Sequence, residues 1–263
     1  DRLRETLEES LDIKEEHVFG SLTRGTLVGP LCPDSDTDVM YVLDSRSHGG
    51  WDGDKDGARK ALQTIKRIIE NDPKYSQTEV SVDRNVVAVK FHDFTVEITP
   101  AFERGGDYVI PDTYQGGRSW VRTNPRKYKR IFENADEARG GKLRKIARLA
   151  KEYNENTDGR VSSYHMELLA YSYMSSRPQD NEPLDHHVED FFEQLPRRLS
   201  SGAYDPATDK RVDSEMEREN RQGAISNAKR AREKIRRAKS LKRSGNGEKA
   251  KELYQEVIDG DLD

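Results

Sequence analysis

Two aspartates, Asp36 and Asp38, lie immediately before an apolar stretch at residues 39–43, which reads VMYVL. β-Branched, aromatic and aliphatic residues in such a run predict a buried strand. Side chains two apart on a strand point to the same side, about 7 Å apart along it. Two carboxylates at that spacing repel each other unless cations lie between them, and hard cations such as Mg²⁺ prefer oxygen ligands. The pair therefore predicts a site for divalent ions.

A glycine-serine pair, Gly20-Ser21, precedes the aspartates and is followed by Arg24, Gly25 and Thr26. Glycine lets the backbone approach a phosphate closely, and amide N–H groups in such a turn point at the anion. The hydroxyl group of Ser21 adds a donor. A phosphate-binding turn next to divalent ions indicates phosphoryl chemistry, since two ions about 4 Å apart can activate an attacking hydroxyl and neutralise a leaving pyrophosphate.

A third carboxylate comes from a later strand. Residues 86–91 and 94–99 predict a hairpin that turns at residues 92–93. In its second strand, Glu97 lies between Val96 and Ile98, so its side chain faces the opposite side from theirs. A lone glutamate among apolar strand residues is costly to bury without a counter-charge, which a metal ion would supply.

Each of these signals has an ordinary explanation when it stands alone. An Asp-x-Asp pair is often a solvated loop, a Gly-Ser pair a plain turn, and a strand glutamate an exposed sheet edge. The order of the set is more specific: Gly-Ser, fifteen positions from Ser21 to Asp36, a strand, and Glu97 in a later apolar strand.

The surrounding pattern predicts an α+β protein of two lobes. Helical spacing of Leu3, Leu7 and Leu11 predicts a helix over residues 2–16, and residues 55–71 predict an amphipathic helix. Residues 45–54 are expected to form a loop, residues 78–99 strands, and the glycine-rich residues 105–117 a connector. These elements predict a mixed sheet with helices on one side, in a catalytic lobe at residues 1–120.

A helical lobe is expected at residues 121–263. Its first helix is expected to begin with an Asn124-Pro125 cap. Its later helices are expected near residues 143–153, 162–174, 189–199, 215–240 and 248–258.

The ordered set resembles the polymerase-β-like nucleotidyltransferase superfamily. The resemblance implies that Gly20 and Ser21 hold a nucleoside triphosphate. It also implies that Asp36, Asp38 and Glu97 bind two Mg²⁺ ions, or Mn²⁺ in their place, and that the active site lies in the cleft between the lobes.

Later segments resemble a narrower family, the cyclic-oligonucleotide synthases called CD-NTases, relatives of cyclic GMP–AMP synthase and 2′-5′-oligoadenylate synthase. The segments are DYVIPD at residues 107–112, Trp120 with TNP at 123–125, LRKIARLAKEYN at 143–154 and VSSYHMELL at 161–169. The resemblance implies that Lys151 and Ser163 contact the donor triphosphate and that Tyr164 stacks on a base. Taken alone, these residues equally fit a surface lysine, a helix N-cap and a core tyrosine.

Composition limits the classes of protein to consider. The chain has 33% hydrophobic and 36% charged residues, a net charge of −4 and one cysteine, Cys32. A single cysteine excludes an internal disulfide, and no stretch has the length of a membrane-spanning helix, so we expect a cytoplasmic protein with no membrane partner. Residues 221–243 contain ten Lys or Arg and one acid, Glu233. This basic run fits a solvated helix face, a nucleic-acid site, or contact with an acidic surface of the protein or of a partner.

These observations lead to one expected function and two alternatives. The expected function is Mg²⁺-dependent nucleotidyl transfer with release of pyrophosphate. The resemblance to CD-NTases implies that nucleoside triphosphates are joined into a cyclic di- or trinucleotide, in antiviral defence signalling. The expected partners are nucleoside triphosphates and a nucleic-acid or protein activator. One alternative is a nucleotidyltransferase that adds a tRNA 3′ end or modifies a protein or small molecule. The other is an inactive fold that binds RNA through residues 221–243.

Overall fold

The computed structural model describes residues 2–29, 36–112, 119–178, 181–214 and 216–262. The strands are β1 (Ile13–Val18), β2 (Asp36–Leu43), β3 (Glu79–Asp83), β4 (Val86–Lys90), β5 (Thr95–Arg104), β6 (Asp107–Asp112) and β7 (Ser119–Thr123). The helices are α1 (Arg2–Glu8), α2 (Gly20–Arg24), α3 (Ser45–Gly53), α4 (Gly57–Asn71), α5 (Pro125–Glu137), α6 (Lys142–Asn156), α7 (Ser163–Ser175), α8 (Leu184–Ser201), α9 (Arg218–Arg243) and α10 (Gly247–Ile258). Within these ranges, no helix combines the length and the apolar content that crossing a membrane requires.

The contacts divide the chain into two compact units. The sheet unit consists of Asp1–Arg24 and Gly29–Lys127, and the helical unit consists of Gly25–Val28 and Tyr128–Asp263. The short segment after α2 therefore belongs to the helical unit. The functional division into lobes at residue 120 stays a prediction.

The seven strands of the described residues form one mixed sheet, with the order β1-β2-β5-β4-β3 at its centre. β2 and β5 run parallel, whereas the pairs β1–β2, β3–β4 and β4–β5 are antiparallel. β6 pairs with the end of β5 and with β7. The predicted mixed sheet and the hairpin at residues 92–93 are confirmed.

One face of the sheet carries the main core of the sheet unit. On this face, Val39 of β2 and Ile98 of β5 belong to the same buried cluster as Ile65 of α4. The amphipathic helix predicted for residues 55–71 is confirmed, because its apolar positions bury one side of α4. The other face holds a smaller buried cluster of Met40, Val42, Ala101 and Tyr108.

The prediction of one helix over residues 2–16 is wrong. α1 ends at Glu8, and Ile13–Val18 forms an edge strand antiparallel to β2. The helical spacing holds only as far as Leu7 and Leu11, which are both buried. Beyond them, pairing with the backbone of β2 satisfies the polar groups of the segment and overrides its local preference.

Two segments predicted to be irregular are regular. In the predicted loop at residues 45–54, Ser45–Gly53 forms α3, whose N-terminus is capped by Asp44: its Oδ1 accepts a hydrogen bond from the amide of Arg46 at 2.7 Å. The expected connector at residues 105–117 contains β6, whose Tyr108 is buried against the second face of the sheet. Residues 113–117 of that connector, and Cys32, lie outside the described residues.

Helix starts in the second half follow local signals in the sequence. Asn124 Oδ1 accepts a hydrogen bond from the amide of Lys127 at 2.9 Å, so the predicted cap before Pro125 is confirmed. At the start of α7, Ser162 Oγ accepts from the amide of His165 at 3.2 Å. The core that these helices enclose is rich in aromatic side chains: Tyr128, Phe132, Tyr153, Tyr173, Phe191 and Phe192.

The basic run lies on α9, and its cations contact acids of the same unit. Its small residues Ala224, Ala228, Ala231 and Ala238 are buried. Acids spaced four apart on α8 pair with α9: Glu193 with Arg236 at 2.5 Å, Glu189 with Lys239 at 3.0 Å, and Asp185 with Lys242. Of the three explanations for the basic run, contact with the protein's own acidic surface is therefore observed for these three pairs.

Candidate active site

The carboxylates predicted to act together lie on one face of the sheet unit. In the parallel pair β2–β5, Asp38 is the register partner of Glu97, and Asp36 is the partner of Thr95. Neighbouring strands are about 4.8 Å apart, and residues in register point to the same face. The strand period places Asp36 and Asp38 on the face that also holds Met40. The sheet thus places the three carboxylates at neighbouring positions of one face, from strands far apart in the chain.

Electrostatic repulsion and burial act together on Glu97. Its side chain is half-buried, and its pKa is raised to about 7, first by loss of solvation and then by the negative charges of Asp36, Asp38 and Asp83. A carboxylate with its pKa raised in this way is stabilised by any cation placed beside it. The position is therefore electrostatically suited to positive charge.

Gly20 allows Asp38 to approach the start of α2. Gly20 has a φ of +78°, and a Cβ atom added there would lie 1.7 Å from Oδ2 of Asp38. The amide of Phe19 donates to the carbonyl oxygen of Asp38 at 3.0 Å, which holds the two segments side by side. Only glycine combines this backbone conformation with this contact. The glycine-serine pair and the aspartate pair are therefore parts of one local structure.

The chemistry of this donor set fits a hard divalent cation. Carboxylate oxygens are the ligands that Mg²⁺ prefers, and three of them share one face here. Within the described ranges, no three His, Cys, Asp or Glu side chains already converge on a common point as a formed metal centre.

The other three predicted site residues belong to the helical unit. Lys151 is 3% exposed, and its Nζ donates to the carbonyl oxygen of Thr26 at 2.8 Å. Ser163 is exposed at the first position of α7, and Tyr164 is half-buried with its ring edge-on to Tyr128 at 5.3 Å between centroids. Contact of Lys151, Ser163 and Tyr164 with a nucleotide stays a prediction.

Comparison with known families decides the identity of the chain. Residues 1–135 match the model of the Second Messenger Oligonucleotide or Dinucleotide Synthetase domain. The match covers the sheet, the three carboxylates and the glycine-serine pair. The chain belongs to this family. The resemblance to cyclic-oligonucleotide synthases that the sequence motifs indicate is thereby confirmed.

Known relatives of this chain agree with that assignment. A protein of Bacillus cereus (strain VD146), named as a probable cyclic nucleotide synthase, is 25% identical over 223 residues, which are 73% of this chain and 65% of that protein. The chain thus spans slightly less than two thirds of that relative's length.

Two solved structures share the fold. CdnC of Escherichia coli MS115-1, in complex with HORMA-deltaN, superposes with a TM-score of 0.69 at 17% identity over 98% of this chain and 88% of that chain. DncV of Vibrio cholerae, a cyclic AMP-GMP synthase described as a prokaryotic cGAS homolog, gives 0.66 at 15% identity over 86% of this chain and 64% of that chain. The predicted α+β fold of a polymerase-β-like lobe with helices is confirmed.

Two buried residues of this chain, Thr26 and Glu167, form a contact that the sequence analysis did not predict. Thr26 is fully buried, and its Oγ1 donates to the carboxylate of Glu167, which is 1% exposed. The signal for Glu167 was available, because it is the lone acid in the apolar stretch HMELLA at residues 165–170. Nothing local indicated that Thr26 is its partner.

We expect Gly20→Ala to reduce pyrophosphate release from nucleoside triphosphates by at least about 100-fold, or about 3 kcal/mol. The new methyl group would displace the carboxylate of Asp38 and would also strain the backbone at φ +78°. Initial rates measured beside far-ultraviolet circular dichroism separate loss of activity from loss of folding. Gly106→Ala is the matched control, since Gly106 has a φ of +82° and nothing within 4 Å of an added Cβ. Equal losses in the two variants would attribute the effect to backbone strain and not to Asp38.

Proposed function

We propose that the protein is a Mg²⁺-dependent nucleotidyltransferase that joins nucleoside triphosphates into a cyclic di- or trinucleotide and releases pyrophosphate. The observation that carries this proposal is the register of Asp38 opposite Glu97, with Gly20 packed against Asp38, in a chain of the synthetase family. This arrangement offers negative charge for divalent ions directly beside backbone amides that suit a phosphate.

The residues of the sheet unit have distinct roles in this proposal. Asp36, Asp38 and Glu97 would hold the ions, which when bound supply Lewis acidity to the attacking hydroxyl and the leaving phosphates. Glu97 accepts the proton of the attacking ribose hydroxyl. The amides of α2 and the hydroxyl of Ser21 orient the triphosphate at the position where Gly20 brings the backbone close.

The residues of the helical unit contribute nucleotide contacts. Ser163 is exposed at the start of α7 and donates to the triphosphate, and Tyr164 offers a ring for base stacking. The ammonium group of Lys151 already donates a hydrogen bond to the carbonyl oxygen of Thr26, which the sequence did not indicate. An ammonium has three N–H donors, so this bond is compatible with contact to a phosphate.

The relatives support a cyclic product and a protein activator. DncV is described as a cyclic AMP-GMP synthase and is solved with the linear intermediate pppA(3′,5′)pG, and CdnC is solved with ATP and with HORMA-deltaN. By analogy, this chain forms a linear intermediate before closing the ring and responds to a protein partner. The extension of this proposal to antiviral signalling in the cytoplasm rests on the resemblance of the sequence motifs and not on these two relatives. Three α9 cations that are already paired with α8 acids disfavour the alternative of an RNA-binding fold.

Incubation of the purified protein with all four nucleoside triphosphates and Mg²⁺ tests this function. We expect pyrophosphate release without any added acceptor, and a product that resists phosphatase and has the mass of a cyclic di- or trinucleotide. A control with EDTA should give none. Turnover that requires added tRNA, protein or a small-molecule acceptor would instead support the alternative nucleotidyltransferases. Salt-sensitive RNA binding with no turnover would support the inactive fold.

A further inference from the structure

The chain leaves the sheet unit at the end of α2 and enters the helical unit at once. Gly25–Val28 packs in the helical unit, although it directly follows Arg24, the last residue of α2. α2 has five residues, and a helix of that length is not stable by its own hydrogen bonds. Its position therefore depends on what holds the residues on either side of it.

Thr26 is held on both its side chain and its backbone by buried polar groups. Its Oγ1 donates to Oε2 of Glu167 on α7, and its carbonyl oxygen accepts from Nζ of Lys151 on α6 at 2.8 Å. Thr26, Glu167 and Lys151 are 0%, 1% and 3% exposed. Buried charges that lose a hydrogen-bond partner are costly, so this arrangement resists displacement of the segment.

A third contact fixes the residue before Thr26. Gly25 has a φ of +65°, and a Cβ added there would lie 3.2 Å from Cδ and Nε of Arg144. The amide and the guanidinium of Arg144 are themselves tied to buried Asp136, at 2.8 and 2.9 Å. Three side chains of α6 and α7 therefore surround two consecutive residues.

We propose that Glu167 and Lys151 are positioning residues that act through Thr26. They fix the C-terminal exit of α2, and so keep Gly20 against Asp38 and the Gly20-Ser21 amides in place for the triphosphate. This inference rests on the proposed function. It gives Lys151 a role that does not depend on its touching the nucleotide.

The test removes the hydroxyl of Thr26 and then restores it. Thr26→Val should raise the KM for nucleoside triphosphates at least 10-fold, and Thr26→Ser, which keeps the hydroxyl, should stay within 3-fold of wild type. Thr157→Val is the matched control. Thr157 is a buried threonine of the same unit whose hydroxyl donates to the carbonyl of Tyr153 at 2.7 Å, so its loss should leave KM unchanged.

A second readout does not require turnover. Amide hydrogen exchange at residues 21–28 should accelerate at least 10-fold in Thr26→Val, while α8 and α9 keep wild-type protection. Glu167→Met removes the acceptor of the same hydrogen bond, and this variant replaces Thr26→Val in the test if Thr26→Val fails to fold. The double variant Thr26→Val, Glu167→Met should change KM and amide exchange no more than the more severe single variant does, because both substitutions remove the same hydrogen bond.

The outcomes separate this inference from the proposed function. A wild-type protein that releases no pyrophosphate overturns the proposed function and this inference with it. Normal wild-type turnover with an unchanged KM in Thr26→Val overturns the inference alone. Faster exchange throughout the helical unit, or effects of Thr26→Val and Glu167→Met that multiply, also overturns it, because the residues would then act only in folding.

Discussion

Asp38→Asn is expected to lower the rate of pyrophosphate release by at least about 1000-fold, equivalent to about 4 kcal/mol of transition-state stabilisation. Asparagine has the shape of aspartate and so keeps the close contact with Gly20. It removes the negative charge opposite Glu97 that would bind the divalent ions. Steady-state pyrophosphate release over a range of Mg²⁺ concentrations measures the effect, and extra Mg²⁺ should recover little of it.

Asp83→Asn is the matched control for Asp38→Asn. Asp83 is an exposed acid on β3 whose negative charge also contributes to the raised pKa of Glu97. Its replacement removes one charge from the same face of the sheet without touching α2, and we expect a rate within about 3-fold of wild type. Near-wild-type release by Asp38→Asn would contradict the assignment. Equal losses of pyrophosphate release in Asp38→Asn and Asp83→Asn would mean that the effect comes from the total negative charge on this face and not from Asp38 itself.

The carboxylate face could be predicted from the sequence because it depends on short-range regularity. The two-residue period of a strand places Asp36 and Asp38 on one side. The hairpin whose second strand contains Glu97 joins strands that are close in the sequence, so it could also be predicted. The parallel pairing of β2 with β5 joins segments far apart in the chain and was not predicted; the resemblance to known nucleotidyltransferases implied only that Glu97 acts with the two aspartates. The sequence analysis explained Gly20 by the close approach of the backbone to a phosphate. Its contact with Asp38 adds a second reason for a glycine there.

The misassigned elements have a common physical cause. β1 and β6 form their hydrogen bonds with other strands, β2 and β5, so pairing between strands and not their local sequence sets their conformation. Partners separated by 125 and 141 residues, as Lys151 and Glu167 are from Thr26, leave no periodicity to detect. The cap at Asn124 and the amphipathic α4 depend on residues within one or two turns, and these were predicted.

Asp213 is the centre of a buried polar network in the helical unit. Its carboxylate accepts hydrogen bonds from Nε of Arg211 at 2.9 Å, from Nη1 of Arg221 at 2.5 Å and from the amide of Ala203 at 3.1 Å. Burial alone would raise the pKa of Asp213, but the two guanidinium groups and the Ala203 amide hold it well below its ordinary value. The network ties the loop after α8 to the start of α9, since Arg221 also donates to the carbonyl of Leu199 at 3.1 Å.

Asp213→Asn should therefore reduce the free energy of unfolding by about 3 kcal/mol at neutral pH, because two guanidinium groups lose their counter-charge. Urea denaturation followed by helical circular dichroism measures this difference. A folded-state pKa below the unfolded value means that the charge of Asp213 stabilises the protein above about pH 4 and loses this effect as the pH falls further. The difference in unfolding free energy between wild type and variant should therefore narrow in acid.

Asp209→Asn is the control. Asp209 is exposed with a φ of 57°, which asparagine tolerates, so we expect no change in the free energy of unfolding. A gap that stays constant down to pH 3 would assign the loss to altered packing and not to the carboxylate charge.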